Sequence, residues 1–183
     1  MESYLTSIIK QFEYYKSLGD KTFTQLSFEE IQWQSSQDSN SIAIIVKHMV
    51  GNMLSRWTNF TTEDGEKIWR KRDDEFINNF NSFEELIAAW ESGWAILFKA
   101  INPLNETDLE KIIYIRNQGH TITEAINRQL AHYAYHTGQI VFLGKLLKDS
   151  NWKSLSIPKG NSNSYNEEKF SKGKDRRHFT DDL

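Results

Sequence analysis

The stretch TITEAINRQLAHYAYHTGQIVFLGKLL, residues 121–147, decides the fold that the sequence predicts. It opens with Thr121 and, three residues later, Glu124, the pattern of a capping box that starts a helix. Apolar and small residues then recur at steps of three and four, which is the period of one helix face. The stretch therefore predicts a long helix with one face turned towards the core.

Two histidines, His132 and His136, lie on that predicted face. Side chains four residues apart on a helix are roughly 5–6 Å apart and point the same way, so both imidazoles can reach one metal ion. The alternative interpretation is that each imidazole only satisfies a polar contact in the core. We trace the inward line as Ala125, Gln129, His132, His136, Ile140, Leu143 and Leu147.

A third histidine, His48, lies on the inward face of a second predicted helix, residues 42–60. Three imidazoles from two facing helices of a bundle leave coordination positions open, which is typical of catalytic metal sites. Because the chain has no cysteine, thiolate ligands are excluded. The candidate ions are Zn, Ni, Fe, Mn and Co, and imidazole ligands favour the first three.

The same periodicity predicts further long helices over residues 2–26 and 82–101, and a capping box predicts a short one over 27–33. The stretch KIIYIRNQGHTIT, residues 111–123, combines β-branched residues with a turn and predicts a small hairpin. The expected fold class is therefore all-α: a four-helix bundle with long connections and a small β-hairpin before the last helix.

Composition limits the domains and partners. With 22 Lys+Arg against 25 Asp+Glu, the chain lacks the basic surface of a nucleic-acid-binding protein. No stretch approaches the ~20 apolar residues of a membrane span, and the N-terminal residues do not resemble a signal peptide. We expect a cytoplasmic protein. Residues 1–150 are expected to form the bundle domain, and residues 151–183 a polar tail that is extended or disordered.

Three more residues are candidates for binding a cofactor or ligand at the histidine site. Asn52 lies one turn after His48 and can reach a metal-bound water or bond within the interior. Arg56, one turn further, can pair with a carboxylate from the connection over residues 61–81. Gln139 can orient a ligand or satisfy a buried amide. These alternatives stay open at the level of sequence.

The connection over residues 61–81 is long for a compact domain, so it is expected to be functional or to contain a partial helix. Its acids Asp73, Asp74 and Glu75 can cover the mouth of the bundle, but a charged run such as RKRDDE is usually solvated. No residue stands out as a general acid or base, so the catalytic residues are left unassigned.

Three other residues are expected to have structural or surface roles. His120 falls in the predicted hairpin turn and His178 in the tail, so both are expected at the surface. Gly138 follows the second histidine of the pair by two residues and is expected to let a neighbouring helix approach.

These patterns together resemble the DinB/YfiT-like superfamily of metal-dependent enzymes. The resemblance lies in the motif HxxxHxGQ at residues 132–139 and in His48 with Trp57 nine residues later. The capping box and the hairpin before the last helix are also similar, and the likeness covers roughly residues 1–150. Within the superfamily the sequence resembles a DinB-like branch of uncharacterised function.

The resemblance implies a centre of His48, His132 and His136 that usually holds Zn or Ni, and a homodimer. Characterised relatives include S-transferases that use bacillithiol or mycothiol, in which the metal lowers the pKa of a bound thiol. The implied partners are a small-molecule substrate and a low-molecular-weight thiol. Hydrolysis and non-enzymatic binding of a metal or small molecule are the alternatives. The superfamily often has Arg or Lys after the second histidine, and Thr137 stands there in this chain, which leaves the substrate class open.

Overall fold

Within residues 2–181, the range that the computed structural model describes, the chain forms six α-helices and one two-stranded antiparallel sheet. Strands β1 (Ile112–Ile115) and β2 (Gln118–Thr121) form a hairpin directly before the longest helix. The prediction of a mostly helical protein with a small hairpin ahead of its last long helix is confirmed. None of the helices in this range has the length and apolar character needed to span a bilayer. The helices are α1 (Glu2–Phe23), α2 (Phe28–Gln32), α3 (Ile42–Trp57), α4 (Phe83–Ile101), α5 (Ile122–Lys148) and α6 (Ser162–Phe170).

Side-chain caps fix the starts of four helices. At each start the hydroxyl accepts a hydrogen bond from the backbone N–H three residues later, a contact worth about 1 kcal/mol. At Ser82 only half of a capping box is formed, because the Glu85 carboxylate accepts from the N–H of Asn81 instead of that of Ser82. The full capping box is present before α2 and α5. The capping residues are Ser27, Ser41, Ser82 and Thr121.

Aromatic rings from three helices fill the core. Phe12 of α1, Trp94 of α4 and Tyr133 of α5 are fully buried, and their ring centroids lie 5.9–6.4 Å apart. Such pairs add to the hydrophobic gain from burying large side chains. Helix α1 lies against α5, and α3 lies against both α4 and α5. The core therefore fixes the relative positions of α3 and α5, the two helices that carry the predicted metal ligands.

The turn of the hairpin is displaced from its predicted position. Arg116 and Asn117 have φ of 55° and 60°, the pattern of a two-residue type I′ turn. The carboxylate of Asp64 accepts hydrogen bonds of 2.8 Å from the backbone N–H of each, which stabilises a turn that contains no glycine. His120, expected in the turn at the surface, is instead half-buried in β2.

The connection over residues 61–81 lies against α3 and the hairpin. The backbone N–H of Gly65 donates to the carbonyl of Tyr114 at 2.8 Å. The hydroxyl of Ser55 donates to the Gly65 carbonyl at 2.9 Å and accepts from the N–H of Lys67 at 3.1 Å. The partial helix considered for this segment is present as a short 3-10 helix, Arg72–Phe76, packed against α3.

The C-terminal segment, residues 151–181, is partly helical. It contains α6 and contacts the longer helices at both of its ends. Trp152 packs against Gly144 of α5, where an added Cβ would lie 3.2 Å from the indole. His178, expected to be solvated, is half-buried, with Nε2 3.2 Å from Ser7 Oγ of α1. Docking on these helices gives a polar segment the contacts that its own composition cannot supply.

Candidate metal centre

Helices α3 and α5 bring three imidazoles together. His132 Nε2 lies 3.4 Å from His48 Nε2 and 3.0 Å from His136 Nε2. One ligand atom from each residue lies within 4.8 Å of the other two. Two nitrogens bound to one tetrahedral zinc ion at about 2.0–2.1 Å would be roughly 3.3 Å apart. The spacing of the cluster therefore fits a single ion held by three imidazoles.

Hydrogen bonds on the far side of two rings direct their Nε2 lone pairs at the centre of the cluster. His48 Nδ1 lies 2.9 Å from Glu75 Oε2, and because an ionised carboxylate only accepts, Nδ1 carries the hydrogen. His136 Nδ1 donates in the same way to Gln139 Oε1 at 2.7 Å. A proton on His132 Nε2 can satisfy only one of the two bare nitrogens that face it. A cation at the centre would satisfy all three.

Burial keeps the imidazoles of His132 and His136 uncharged. Burial and the neighbouring His136 and His48 lower the pKa of His132 to about 3. Burial also lowers the pKa of His136, against the opposing effect of its hydrogen bond to Gln139. Both rings are therefore neutral at pH 7, and the neutral imidazole is the form that coordinates a metal.

Glu75 has the principal role that the sequence did not predict. It is only 5% exposed and connects His48 to Arg70, whose Nε and Nη2 donate to its two oxygens at 2.7 and 3.0 Å. Burial opposes ionisation of this carboxyl group, but the hydrogen bonds from His48 and Arg70 outweigh it and lower its pKa. A carboxylate behind a metal-binding imidazole fixes the orientation of the ring and raises its basicity.

Gly51 makes room for this carboxylate. A Cβ built at Gly51 would clash with Glu75 Oε1 and lie 2.7 Å from Glu75 Cδ. Glycine inside a helix is less favourable than alanine by about 1 kcal/mol, so its place within α3 has a physical reason. A glycine one turn after His48 was the one sequence signal that another group comes close to this helix.

Phe76 packs against one face of the His48 ring. The two rings stack with centroids 5.4 Å apart and an angle of 24° between their planes. The guanidinium of Arg72 lies over Phe76, 5.2 Å from its centroid. The expectation of a solvated charged run is therefore wrong at Glu75, although the two aspartates before it are exposed. The 3-10 helix packed on α3 buries the third acid and leaves the other two in water.

The two histidines of α5 lie at the rim of the core instead of at its centre. The most buried line of the helix passes through Tyr133 and Thr137, both fully buried, whereas His132 and His136 are half-buried. The predicted inward line is confirmed at Ala125, Gln129 and Ile140. Between them the buried line passes one residue later than the histidines, because the large ring of Tyr133 fills the space between α1, α3 and α4. A position at the rim leaves one side of the cluster accessible.

Asn52 faces the interior of the protein. Its Oδ1 accepts a hydrogen bond of 3.0 Å from the Tyr133 hydroxyl, which in turn accepts one of 3.1 Å from the indole N–H of Trp57. This favours the second of the two roles considered for Asn52. It also lines a cavity beside the cluster, so contact with a bound ligand stays a prediction.

Arg56 and Gln139 both make contacts within the chain. Arg56 Nη1 donates to the Gly65 carbonyl at 2.8 Å, and Nη2 lies 3.7 Å from Glu66 Oε2, so it pairs with a carboxylate of the connection as expected. Gln139 orients His136 and donates to the Tyr135 hydroxyl at 3.1 Å. That either residue also contacts a cofactor or substrate stays a prediction.

Gly138 does not have the role expected of it. Apart from its chain neighbours and the adjacent backbone of α5, no described atom lies within 4 Å of a Cβ built there, and the residue is exposed. The expected close approach of a neighbouring helix is therefore wrong for the described part of this chain. The glycine lies instead on an open face of α5.

A cavity of about 220 Å³ adjoins the cluster. It is lined by His48 and His132, by the amide side chains of Asn52 and Gln129, and by five arginines. Its described lining includes no Asp or Glu. The accessible side of the histidine cluster therefore faces a positively charged space.

Comparison with known proteins identifies a family without assigning an activity. A family model described as "Protein of unknown function (DUF1572)" matches residues 1–161. Since the match spans most of the chain, the protein belongs to that family. No curated protein and no solved structure matches it.

Proposed function

We propose that this member of the DUF1572 family is a metal-dependent enzyme that activates a low-molecular-weight thiol for S-transfer to a small electrophilic molecule. The observation that carries the proposal is the convergence of three Nε2 atoms from His48, His132 and His136. A divalent transition metal, Zn or Ni first and Fe or Mn as alternatives, would lower the pKa of a thiol or water bound beside the three imidazoles.

The arrangement of helices supports a DinB/YfiT-like four-helix bundle as the fold that holds this centre. Helix α1 lies along α5, and α3 lies along α4. Long connections join α1 to α3 and α3 to α4. In this proposal α3 and α5 supply the ligands, and α1 and α4 complete the core. The motif at residues 132–139 and His48 occupy the positions that the resemblance requires.

The surroundings of the cluster favour thiol activation over hydrolysis. Hydrolysis needs a general base that takes a proton from the water molecule as it attacks the substrate. Glu75 is committed to His48 and Arg70, and the described cavity lining has no carboxylate. A thiol has a pKa near 8.5 and becomes a nucleophile once this single proton is lost. Hydrolysis and non-enzymatic binding are the alternatives that the experiments below distinguish.

A homodimer is part of the same proposal. An apolar stripe on α5 is exposed beside the histidine cluster, with Tyr135 63%, Phe142 66% and Leu146 54% exposed. Gly138 lies within the stripe with open space around it. A second copy of the chain is the partner we propose for this surface, and sedimentation at micromolar concentration tests it.

Metal content tests the proposal first. Protein purified without chelator or histidine tag is expected to contain close to one transition-metal ion per chain. The substitution His136→Ala should reduce this to near zero and lower the melting temperature. His178→Ala, which removes a histidine outside the cluster, is the matched control and should keep the ion. An ion-free protein, even after reconstitution, would overturn the proposal.

Thiol conjugation tests the reaction. Monochlorobimane is offered with a panel of low-molecular-weight thiols to the metal-loaded protein. We expect conjugation with at least one thiol, at a rate that falls to the uncatalysed level after chelation or in His136→Ala. A metal-loaded protein that is inactive with every thiol would contradict S-transfer and leave hydrolysis or a binding role.

A further inference from the structure

We infer that the arginine-lined cavity beside the histidine cluster is an anion-binding subsite that takes a carboxylate or phosphate group. The inference rests on the proposed function in one respect, namely that the bound molecule is a reactant of the histidine centre. The anion site itself is built from arginines and does not require a metal ion. It would supply the substrate class that the sequence leaves open at Thr137.

The cavity has an excess of positive charge. Glu75 is paired with Arg70 through both oxygens. Glu66 is shared, with an oxygen 3.3 Å from Arg70 Nη1, 3.3 Å from Arg116 Nη2 and 3.7 Å from Arg56 Nη2. Asp64 is also close enough to Arg56 to interact with it. When it is counted, three carboxylates neutralise part of the charge of five guanidinium groups, and an excess of positive charge remains. The arginines are Arg56, Arg70, Arg72, Arg116 and Arg128.

Two of these arginines remain available for a ligand. Arg72 and Arg128 are exposed, and neither forms an ion pair with a carboxylate among the described side chains, those of residues 4–181. Arg128 lies one helical turn before His132 on α5. Arg72 lies over Phe76, the ring that stacks on His48. The two arginines therefore come from different elements and line the same cavity as His48 and His132.

Two residues that line the cavity also carry unsatisfied polar atoms. Arg56 Nε and Gln129 Oε1 are buried and have no hydrogen-bond partner in the described part of the chain. Their residues are only 6% and 2% exposed, and both line the cavity. Buried polar groups in native proteins are nearly always satisfied. An acceptor oxygen of a bound ligand would satisfy Arg56 Nε once the side chain turns towards the cavity, and the amide of Gln129 can present its NH₂ group when rotated.

The size of the cavity indicates which part of a ligand it takes. A volume of about 220 Å³ is below the roughly 300–1,000 Å³ of pockets that enclose a whole small molecule. It suits one charged group, with the rest of the molecule outside. His48 and His132 form part of the lining, so a bound anionic group would hold its molecule beside the cluster. Arginine is suited to this task because its planar donors bind carboxylate and phosphate in pairs.

Anion binding to the metal-free protein tests the inference separately from the metal centre. The full-length chain is stripped with chelator and titrated in a calorimeter with inorganic phosphate and, in a second series, with succinate. We expect saturable binding of at least one anion at a single site, weakened by added salt. The anion that binds with the higher affinity shows whether the subsite prefers a phosphate or a carboxylate group. Absence of binding by both would overturn the inference.

Two arginine variants locate the site. Arg128→Ala and Arg72→Ala should each weaken anion binding about tenfold, the loss of one charge-assisted contact, with the melting temperature unchanged. Arg176→Ala removes an exposed arginine that does not line the cavity and should bind as the unaltered protein does. Unchanged binding in both cavity variants would overturn the inference.

Metal analysis on the same samples separates the two proposals. If anions bind but no transition metal does, the anion site stands and the proposed enzyme fails. If the metal binds but neither anion does, the anion site fails and the metal centre stands.

Discussion

The two regions that build the histidine cluster differ in how they are encoded. On α5 the motif at residues 132–139 places two imidazoles one turn apart, and regular helix geometry alone brings them together. The connection over residues 61–81 has no such period, yet it places Glu75 and Phe76 against His48. The motif brings two of the histidines together, whereas the irregular segment holds the third, His48, in place.

This difference has a physical origin. Periodicity reports which residues share a helix face, so it detects ligands that belong to one face. The position of an irregular segment depends on individual hydrogen bonds, such as those that Ser55 makes to Gly65 and Lys67. These bonds leave no regular spacing in the sequence. The supporting groups of a site are therefore harder to predict than the site itself.

Replacing Glu75 is the strongest way to test whether the connection matters as much as the motif. Glu75→Ala would leave the guanidinium of Arg70 without its buried partner and His48 without its orienting acceptor. We expect the free energy of unfolding to fall by about 3 kcal/mol, as for other broken buried pairs. Metal affinity should fall roughly 10–100-fold. Urea unfolding and competition with a chromophoric chelator measure the two effects.

The control for Glu75 lies in the same charged run. Asp73→Ala removes an exposed carboxylate two residues earlier and should change the unfolding free energy by less than about 0.5 kcal/mol. Equal effects of the two substitutions would mean that the connection is only a solvated loop and that His48 is held by α3 alone.

Two glycines give the next largest effect, and with opposite signs. Gly51→Ala should destabilise the protein by about 1–3 kcal/mol, because the new methyl group overlaps the Glu75 carboxylate. Gly138→Ala should stabilise it by about 0.5–1 kcal/mol, since nothing described lies near that position and alanine is the better helix former. Thermal and urea unfolding of the pair measure the signs. A stabilising Gly51→Ala would show that the carboxylate does not approach α3 closely.

The smallest expected effect comes from Gln139, which lies on α5 and orients His136 of the same helix. Gln139→Ala removes the acceptor for His136 Nδ1 and is expected to weaken metal binding about tenfold, with little change in unfolding because the residue is only half-buried. Gln139→Glu keeps an acceptor at this position and should restore the affinity. Failure of the glutamate variant to bind more tightly than the alanine variant would count against an orienting role.

Much of the fold could be predicted because its signals are local. The caps at Ser27, Ser41 and Thr121 fix helix starts within a few residues, and the β-branched run at residues 112–115 predicts the first strand. The turn at Arg116 and Asn117 was misplaced because the distant Asp64 stabilises it. Helix α6 was missed because its own sequence has no apolar face that periodicity could detect.

The clustering of the three histidines could be predicted from the sequence, but the surroundings of the cluster could not. His48, His132 and His136 were found because each lies on a regular helix. The displacement of His132 to the rim depends on the volume of Tyr133, which periodicity does not measure. The charge of the cavity comes from arginines on α3, the connection, the hairpin turn and α5. No local pattern joins residues from four elements, so that property required the three-dimensional structure.

Anomalous X-ray diffraction from crystals grown with zinc tests the central claim most directly. Data collected on either side of the zinc absorption edge locate the ion independently of any assumption about its ligands. We predict one peak per chain, about 2.0–2.1 Å from the Nε2 atoms of His48, His132 and His136. A zinc-loaded crystal in which the peak lies elsewhere, or in which the three rings point away from one another, would contradict the account.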